Sequence, residues 1–354
     1  MPSRRALLLT ATATIALAAC ATTVVEARDG ARFSNPHIEA RSGGFFAYLR
    51  MRLFGDDVWA SYDPVRDGPV PVATPAAVSD GTVTVNATVT WIGHSTVLVQ
   101  HRGVNVLTDP MLSDYASPLP FAGPRRQSAP ALEADQLPAI DVVVISHDHY
   151  DHLDVKTIRA LGNRPHYYVP LGLASWMVRQ GIDRDRVTEM GWWDRTTLDL
   201  AHASVEITAT PSQHFSGRSL TDRNRTLWAS WAIRWQDFSL WFGGDTGYNP
   251  VQFKEIGQRF GGFDLGIVPI GAYRPRDFMA PVHVDPSEAV LIHRDIGAHR
   301  SLGVHWGTFI LTAEPLLEPP VALARAAAEA GLAPETFTTF AVGETRSFTP
   351  QTAM

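Results

Sequence analysis

Two hydrophobic periods alternate along most of this chain. Ala87-Thr88-Val89-Thr90-Trp91, Thr96-Val97-Leu98-Val99-Gln100 and Val104-Asn105-Val106-Leu107-Thr108 carry the two-residue period of strands, and the last two flank Arg102-Gly103 as a hairpin would. Thr82-Val83-Thr84-Val85 reads as a further strand. Asp141-Val142-Val143-Val144-Ile145 is an unbroken apolar run, the mark of a buried strand in a parallel sheet. Strands are also predicted over 205–210, 228–235 and 238–242, and helices over 171–180, 251–260, 286–296 and 321–330. The third helix has Pro286 in its first turn after Asp285, and the fourth closes on Gly331. Alternating strands and helices indicate an α/β fold. With no internal repeat or second linker, the pattern gives one catalytic domain over residues 81–354.

The stretch before it has a different character. Arg4-Arg5 precede a weakly apolar segment, Ala6 to Ala19, too short to span a bilayer, so residues 1–19 read as a signal peptide. Leu17-Ala18-Ala19-Cys20 resembles a bacterial lipobox, and Cys20 is the only cysteine. Ser3-Arg4-Arg5 also resembles a twin-arginine signal, which exports folded proteins. Cleavage at Ala19-Cys20-Ala21 that discards Cys20 is the alternative. The expectation is an exported protein of the bacterial cell envelope, facing the periplasm and held to the membrane by acylated Cys20. Residues 20–80, with Pro64, Pro69, Pro71 and Pro75, read as a tether and an extended wrap over the domain.

Composition narrows the chemistry. The chain of 354 residues is 45% hydrophobic and 19% charged, ample for a large core. Its net charge of −6 becomes −8 when residues 1–19 leave with Arg4 and Arg5. That balance argues against nucleic-acid binding and against a polybasic membrane patch. Thirteen histidines beside one cysteine suit nitrogen and oxygen ligation of a metal.

His147-Asp148-His149-Tyr150-Asp151-His152 supplies that chemistry directly. It follows the 141–145 strand, so it lies at a strand's carboxyl end, where open α/β sheets place ligand sites. A loop there can turn the side chains at i, i+2, i+4 and i+5 toward one point. Imidazole and carboxylate are the donors of zinc, and iron or manganese accept the same set. His214, Asp245 and His305 each follow a strand pattern, and with the cluster they make seven ligands, enough for two metals. Taken singly, each of the three is more often a structural histidine or a tight turn. His101, in the hairpin, is expected to be an exposed-turn residue.

The cluster and the separate His, Asp and His resemble the metallo-β-lactamase superfamily. Longer stretches resemble one family within it, the N-acylphosphatidylethanolamine-hydrolysing phospholipase D enzymes. These are Trp91-Ile92-Gly93-His94-Ser95-Thr96, Thr108-Asp109-Pro110, 146–154, 169–173, Thr210-Pro211-Ser212-Gln213-His214, Gly244-Asp245-Thr246-Gly247-Tyr248, Pro269-Ile270-Gly271-Ala272-Tyr273, His283-Val284-Asp285-Pro286 and Val304-His305-Trp306-Gly307-Thr308-Phe309. The likeness runs from about Trp91 to about Gly343. It implies an αβ/βα four-layer sandwich with a dinuclear zinc site at one sheet edge. It places His147, His149 and His214 on one metal and Asp151, His152 and His305 on the other, with Asp245 bridging and a hydroxide between the metals as nucleophile. Asp109 and His94 would orient ligand imidazoles. His283 would stand near the leaving group as an acid or phosphate donor, or simply flank a helix.

Pro120-Phe121 departs from the family, which carries polar Gln-Tyr there, so head-group recognition is open. Trp192-Trp193 read either as an acyl-chain groove or as core, and Trp228, Trp231 and Trp235 as core. The function implied is a membrane-tethered zinc phosphodiesterase of phospholipase D type acting on N-acylated or other phospholipids. A lactone or carboxyl-ester hydrolase on the same site is the alternative, and a non-catalytic metal-binding envelope lipoprotein is disfavoured by the full ligand set. Acyl and head-group specificity and oligomeric state are not legible.

Overall fold

Along 142–145, Val142 and Val144 face one apolar cluster, Val143 and Ile145 face another, and all four are buried. A strand buried on both faces needs a layer on each side, and that requirement builds the molecule. The computed structural model describes residues 32–38, 44–55, 58–76 and 85–350. The signal peptide of 1–19, Cys20 and positions 82–84 of the first expected strand lie outside the described residues.

The first half of the domain supplies β1 (Ala87–Gly93), β2 (Thr96–His101), β3 (Val104–Thr108), β4 (Val142–Val144), β5 (His166–Pro170) and β6 (Val187–Met190). The second supplies β7 (Arg195–Asp199), β8 (Ser204–Thr210), β9 (Ser230–Arg234), β10 (Ser239–Phe242), β11 (Phe263–Pro269), β12 (Ala298–Val304), β13 (Phe337–Thr339) and β14 (Thr345–Phe348). They form two seven-stranded sheets, ordered β14-β1-β2-β3-β4-β5-β6 and β13-β12-β11-β10-β9-β8-β7. Each is mixed, with parallel pairing from β3 to β6 and from β10 to β13. The larger cluster lies between the sheets and includes Trp91, Trp231, Trp241 and Phe242. Helices Val155–Leu161 and Ala174–Arg179 cover the first sheet through Ile158, Ala174 and Met177. Helices Gln252–Phe260, Pro286–Asp295 and Glu318–Glu329 cover the second through Phe253, Ile292 and Leu323. This is the αβ/βα sandwich.

Several boundaries moved for local reasons. The helix expected from 171 begins at Ala174, because Gly172 sits at φ +93°, where a Cβ would stand 3.1 Å from the Arg225 carbonyl oxygen. The last helix begins at Glu318, three residues early, since Pro319 fits its first turn. Arg102 and Gly103 both take positive φ, at +53° and +77°, as the two-residue hairpin turn requires.

One expectation is corrected and one pair of alternatives is decided. His101 is buried, not exposed: its Nε2 lies 3.0 Å from Asp237 Oδ1, and its ring packs on Trp235 and Phe238. Of the two readings of Trp192 and Trp193, the packing bears out core. Trp192 is buried and donates to the Trp228 carbonyl at 2.6 Å, and Trp193 packs against the core with Arg259 4.1 Å above its ring.

Candidate metal centre

One edge of the sandwich collects the carboxyl ends of strands from both sheets. His94 follows β1, Asp109 follows β3, the 147–152 cluster follows β4, His214 follows β8, Asp245 follows β10 and His305 follows β12. The two sheets are locked together at this edge. Trp231 Nε1 on β9 donates to the Ile145 carbonyl at 2.9 Å, and Ala229 N donates to the Ser146 carbonyl at 2.8 Å. Gly244, at φ +56°, is required here, because a Cβ on it would stand 2.3 Å from that of Ser146. His94, Asp109 and His305 also take positive φ, at +52°, +30° and +65°, a conformation that non-glycine residues adopt at a cost of about 1–3 kcal/mol.

The spacing within the cluster works as a switch of direction. His147, His149, Asp151 and His152 turn inward. Asp148 turns away, accepting from Gly217 N at 2.7 Å and Thr226 Oγ1 at 3.0 Å, and Tyr150 donates to the Arg218 carbonyl at 2.8 Å. The inward atoms gather in two sets. In one, His147 Nε2 is 2.8 Å and His214 Nε2 3.3 Å from His149 Nδ1. In the other, Asp151 Oδ2 is 3.3 Å from His152 Nε2 and 3.4 Å from His305 Nε2. The Asp245 carboxylate stands between them. Its Oδ2 is 4.0 Å from His147 and 3.8 Å from His214 on one side and 3.1 Å from His152 on the other, while Oδ1 is 3.2 Å from His305.

These separations fit a metal. Tetrahedral ligands at ~2.0–2.1 Å from zinc stand about 3.3 Å apart, close to what both sets show. His152 Nε2, His305 Nε2 and Asp245 Oδ1 are buried and lack any hydrogen-bond partner in the protein. Such orphans are costly unless something else binds them.

Outer contacts aim the ligands. Asp109 Oδ2 lies 2.6 Å from His152 Nδ1 and takes the Ser146 hydroxyl at 2.5 Å, while its Oδ1 takes Ser146 N at 2.6 Å. Ser146 Oγ is also 2.9 Å from His147 Nδ1, so Asp109 reaches two ligand histidines. The Val282 carbonyl is 2.8 Å from His214 Nδ1. His94 Nε2 is 3.0 Å from Asp151 Oδ2, and its ring lies 4.1 Å from that of His305. Sequence reading assigned no role to Ser146 or Val282, and a serine beside a histidine and a main-chain carbonyl carry no signal that would have marked them. His283 is drawn into the same centre, with Nδ1 buried, unpartnered and 3.9 Å from Asp245 Oδ2.

Burial pushes His147 well below the ordinary imidazole value, His149 down to about 4, and His94, His214 and His283 down to about 3. Neutral rings are the ligating form. Burial alone would raise the carboxyls of Asp151 and Asp245, but His152 beside both outweighs it and holds them well below the usual range. Burial likewise opposes charge on His152 and His305. Asp245 overcomes it, keeping His152 well above its ordinary value and lifting His305 to about 9. The arrangement concentrates negative charge between two imidazole sets, as a site for divalent cations must.

Residues 104–306 match the family model described as the beta-lactamase superfamily domain. The chain is 45% identical over 237 residues to N-acyl-phosphatidylethanolamine-hydrolyzing phospholipase D 1 of Caenorhabditis elegans, covering 65% of this chain and 67% of that protein. It is 42% identical over 283 residues to an uncharacterized protein of Mycobacterium tuberculosis, covering 78% of this chain and 73% of the relative. Among solved structures, a metallo hydrolase of the archaeon Ignicoccus hospitalis shares the fold, at TM-score 0.56 and 20% identity over 74% of this chain and 98% of that one.

Proposed function

This chain belongs to the metallo-β-lactamase superfamily, whose hydrolase fold it shares, and we propose that it is a dinuclear-zinc phosphodiesterase of phospholipase D type acting on N-acylphosphatidylethanolamine-like phospholipids. The observation that carries this reading is the Asp245 carboxylate standing between the two imidazole sets. The relative in Caenorhabditis elegans supplies the substrate class.

His147, His149 and His214 would hold one ion and Asp151, His152 and His305 the other, with Asp245 shared. When bound, the ions supply Lewis acidity toward phosphoryl oxygens and make water a nucleophile at neutral pH. The protein does the rest. Asp109 and Val282 fix the rings of His152 and His214, and His94 braces Asp151. His283 presents an unpartnered ring nitrogen beside Asp245 and is placed to donate a hydrogen bond to a phosphoryl or leaving-group oxygen. In the reaction, a water oxygen joins phosphorus and the bond from phosphorus to the head-group oxygen breaks. The proton passes to the departing alcohol, giving phosphatidic acid and an N-acylated alcohol.

The test is product analysis of the zinc-loaded protein on a phospholipid and lactone panel in heavy-oxygen water. Phosphatidic acid carrying the solvent oxygen is expected. Free fatty acid without phosphatidic acid would reject the phosphodiesterase reading in favour of ester or lactone hydrolysis.

The same proposal includes tethering through acylated Cys20. The lipobox-like Leu17-Ala18-Ala19-Cys20, which carries the chain's single cysteine, supports this reading. Cys20→Ala is expected to move the protein from the membrane fraction to the soluble periplasm or to block its processing. Equal membrane association of the variant would count against it.

A further inference from the structure

We infer that Asn35, in the wrap ahead of the catalytic domain, is a positioning residue for the metal centre that holds His214 by its main chain. The inference rests on the dinuclear reading above. Asn35 Nδ2 donates to the His214 carbonyl at 2.8 Å. Its Oδ1 accepts from His214 N at 3.2 Å and from Trp228 Nε1 at 3.1 Å. One side-chain amide thus takes both hydrogen-bonding groups of the His214 peptide, as a neighbouring strand would.

The contact matters because, among the described residues, nothing else does this. β8 ends at Thr210, and Pro211 follows with no N–H to continue the ladder. Among the described residues no main-chain group pairs with the His214 N–H or carbonyl. The ring is fixed separately through Nδ1 and the Val282 carbonyl, which leaves Nε2 facing His149 and Asp245. Ring rotation and main-chain position must both be set for a ligand to point correctly, and Asn35 sets the second.

The wrap is built to hold Asn35 there. Phe33 is buried in the main core, its N donates to the Asn224 carbonyl at 2.9 Å, and Asn224 Nδ2 donates back to the Phe33 carbonyl at 3.1 Å. Arg32 reaches the carbonyls of Thr221 and Arg223. Pro36 biases Asn35 toward extended backbone. The same 216–226 loop gives Gly217 N and Thr226 Oγ1 to Asp148, the outward-turned residue between His147 and His149. Wrap, loop and cluster form one hydrogen-bonded unit, so the segment is part of the site rather than a passive tether.

The experiment titrates zinc into metal-stripped full-length protein, wild type and Asn35→Ala, against a chromophoric chelator, with thermal melts of each form. Wild type is expected to take two ions. In the variant one ion should bind as before, and the other about 10–100-fold more weakly, the usual effect of removing a group that orients a ligand. The melting temperature without metal should stay near wild type, while the rise on adding zinc shrinks. Asn35→Asp keeps both acceptor bonds and the shape but loses the donor to the His214 carbonyl. It should fall between, and it decides the matter if Asn35→Ala does not fold. Two ions at wild-type affinity in the variants would overturn the inference, as would equal weakening of both ions. Wild type binding no zinc would overturn the dinuclear reading and this inference with it.

Discussion

Asp245→Asn is expected to lower kcat by roughly a thousandfold or more, a loss of about 4 kcal/mol of transition-state stabilisation. Among the described residues, Asp245 is the one carboxylate within 4.0 Å of candidate ligand nitrogens in both sets. Asparagine keeps its shape and removes its charge. Cations held by the two sets would lose the anion between them, and His152 would lose the carboxylate oxygen 3.1 Å away. Packing should survive, because the amide is nearly isosteric with the carboxylate. Metal stoichiometry should fall below two by elemental analysis, with the melting curve of the metal-free form little changed. Activity within tenfold of wild type at full metal loading would show that Asp245 does not bridge.

Asp109→Ala is expected to be the most damaging change to stability near the site. Asp109 is fully buried and accepts from Ser146 N, Ser146 Oγ and the His152 ring, all at 2.5–2.6 Å. Alanine leaves those donors without a partner in a place water does not reach. Breaking a buried, charge-assisted network by removing one member costs roughly 3–5 kcal/mol. His152 would also lose the contact that sets its ring, with metal affinity falling about 10–100-fold. Urea unfolding of the metal-free protein separates the two effects. A shift under about 1 kcal/mol there would mean that Asp109 is not the support its contacts describe.

The candidate centre was legible because its signals are local. Three histidines and an aspartate within six residues can converge from a loop, and the apolar run before them said where that loop begins. His214, Asp245 and His305 were legible as strand-end polar residues, though each alone was ambiguous. His101 was misread because its partner, Asp237, lies 136 positions away and a hairpin residue gives no sign of it. Asn35 was invisible for the same reason, 179 positions from His214. Trp192 and Trp193 read either as a groove or as core, and packing decided for core: Trp192 is buried in it and Trp193 packs against it.

What the chain by itself determined is what periodicity and short spacing can encode: the alternation of strands and helices, the burial of the 141–145 strand, the convergence of His147, His149, Asp151 and His152 from one loop, and the donor types. These depend on residues near one another, so the chain carries them openly. The tertiary structure decided which strand ends meet. It set Asp245 between two sets of imidazoles, brought Asp109 under His152, and laid Asn35 along His214. Those contacts join residues tens to nearly two hundred positions apart, and their energies arise only once two sheets have closed against each other and excluded water from one edge.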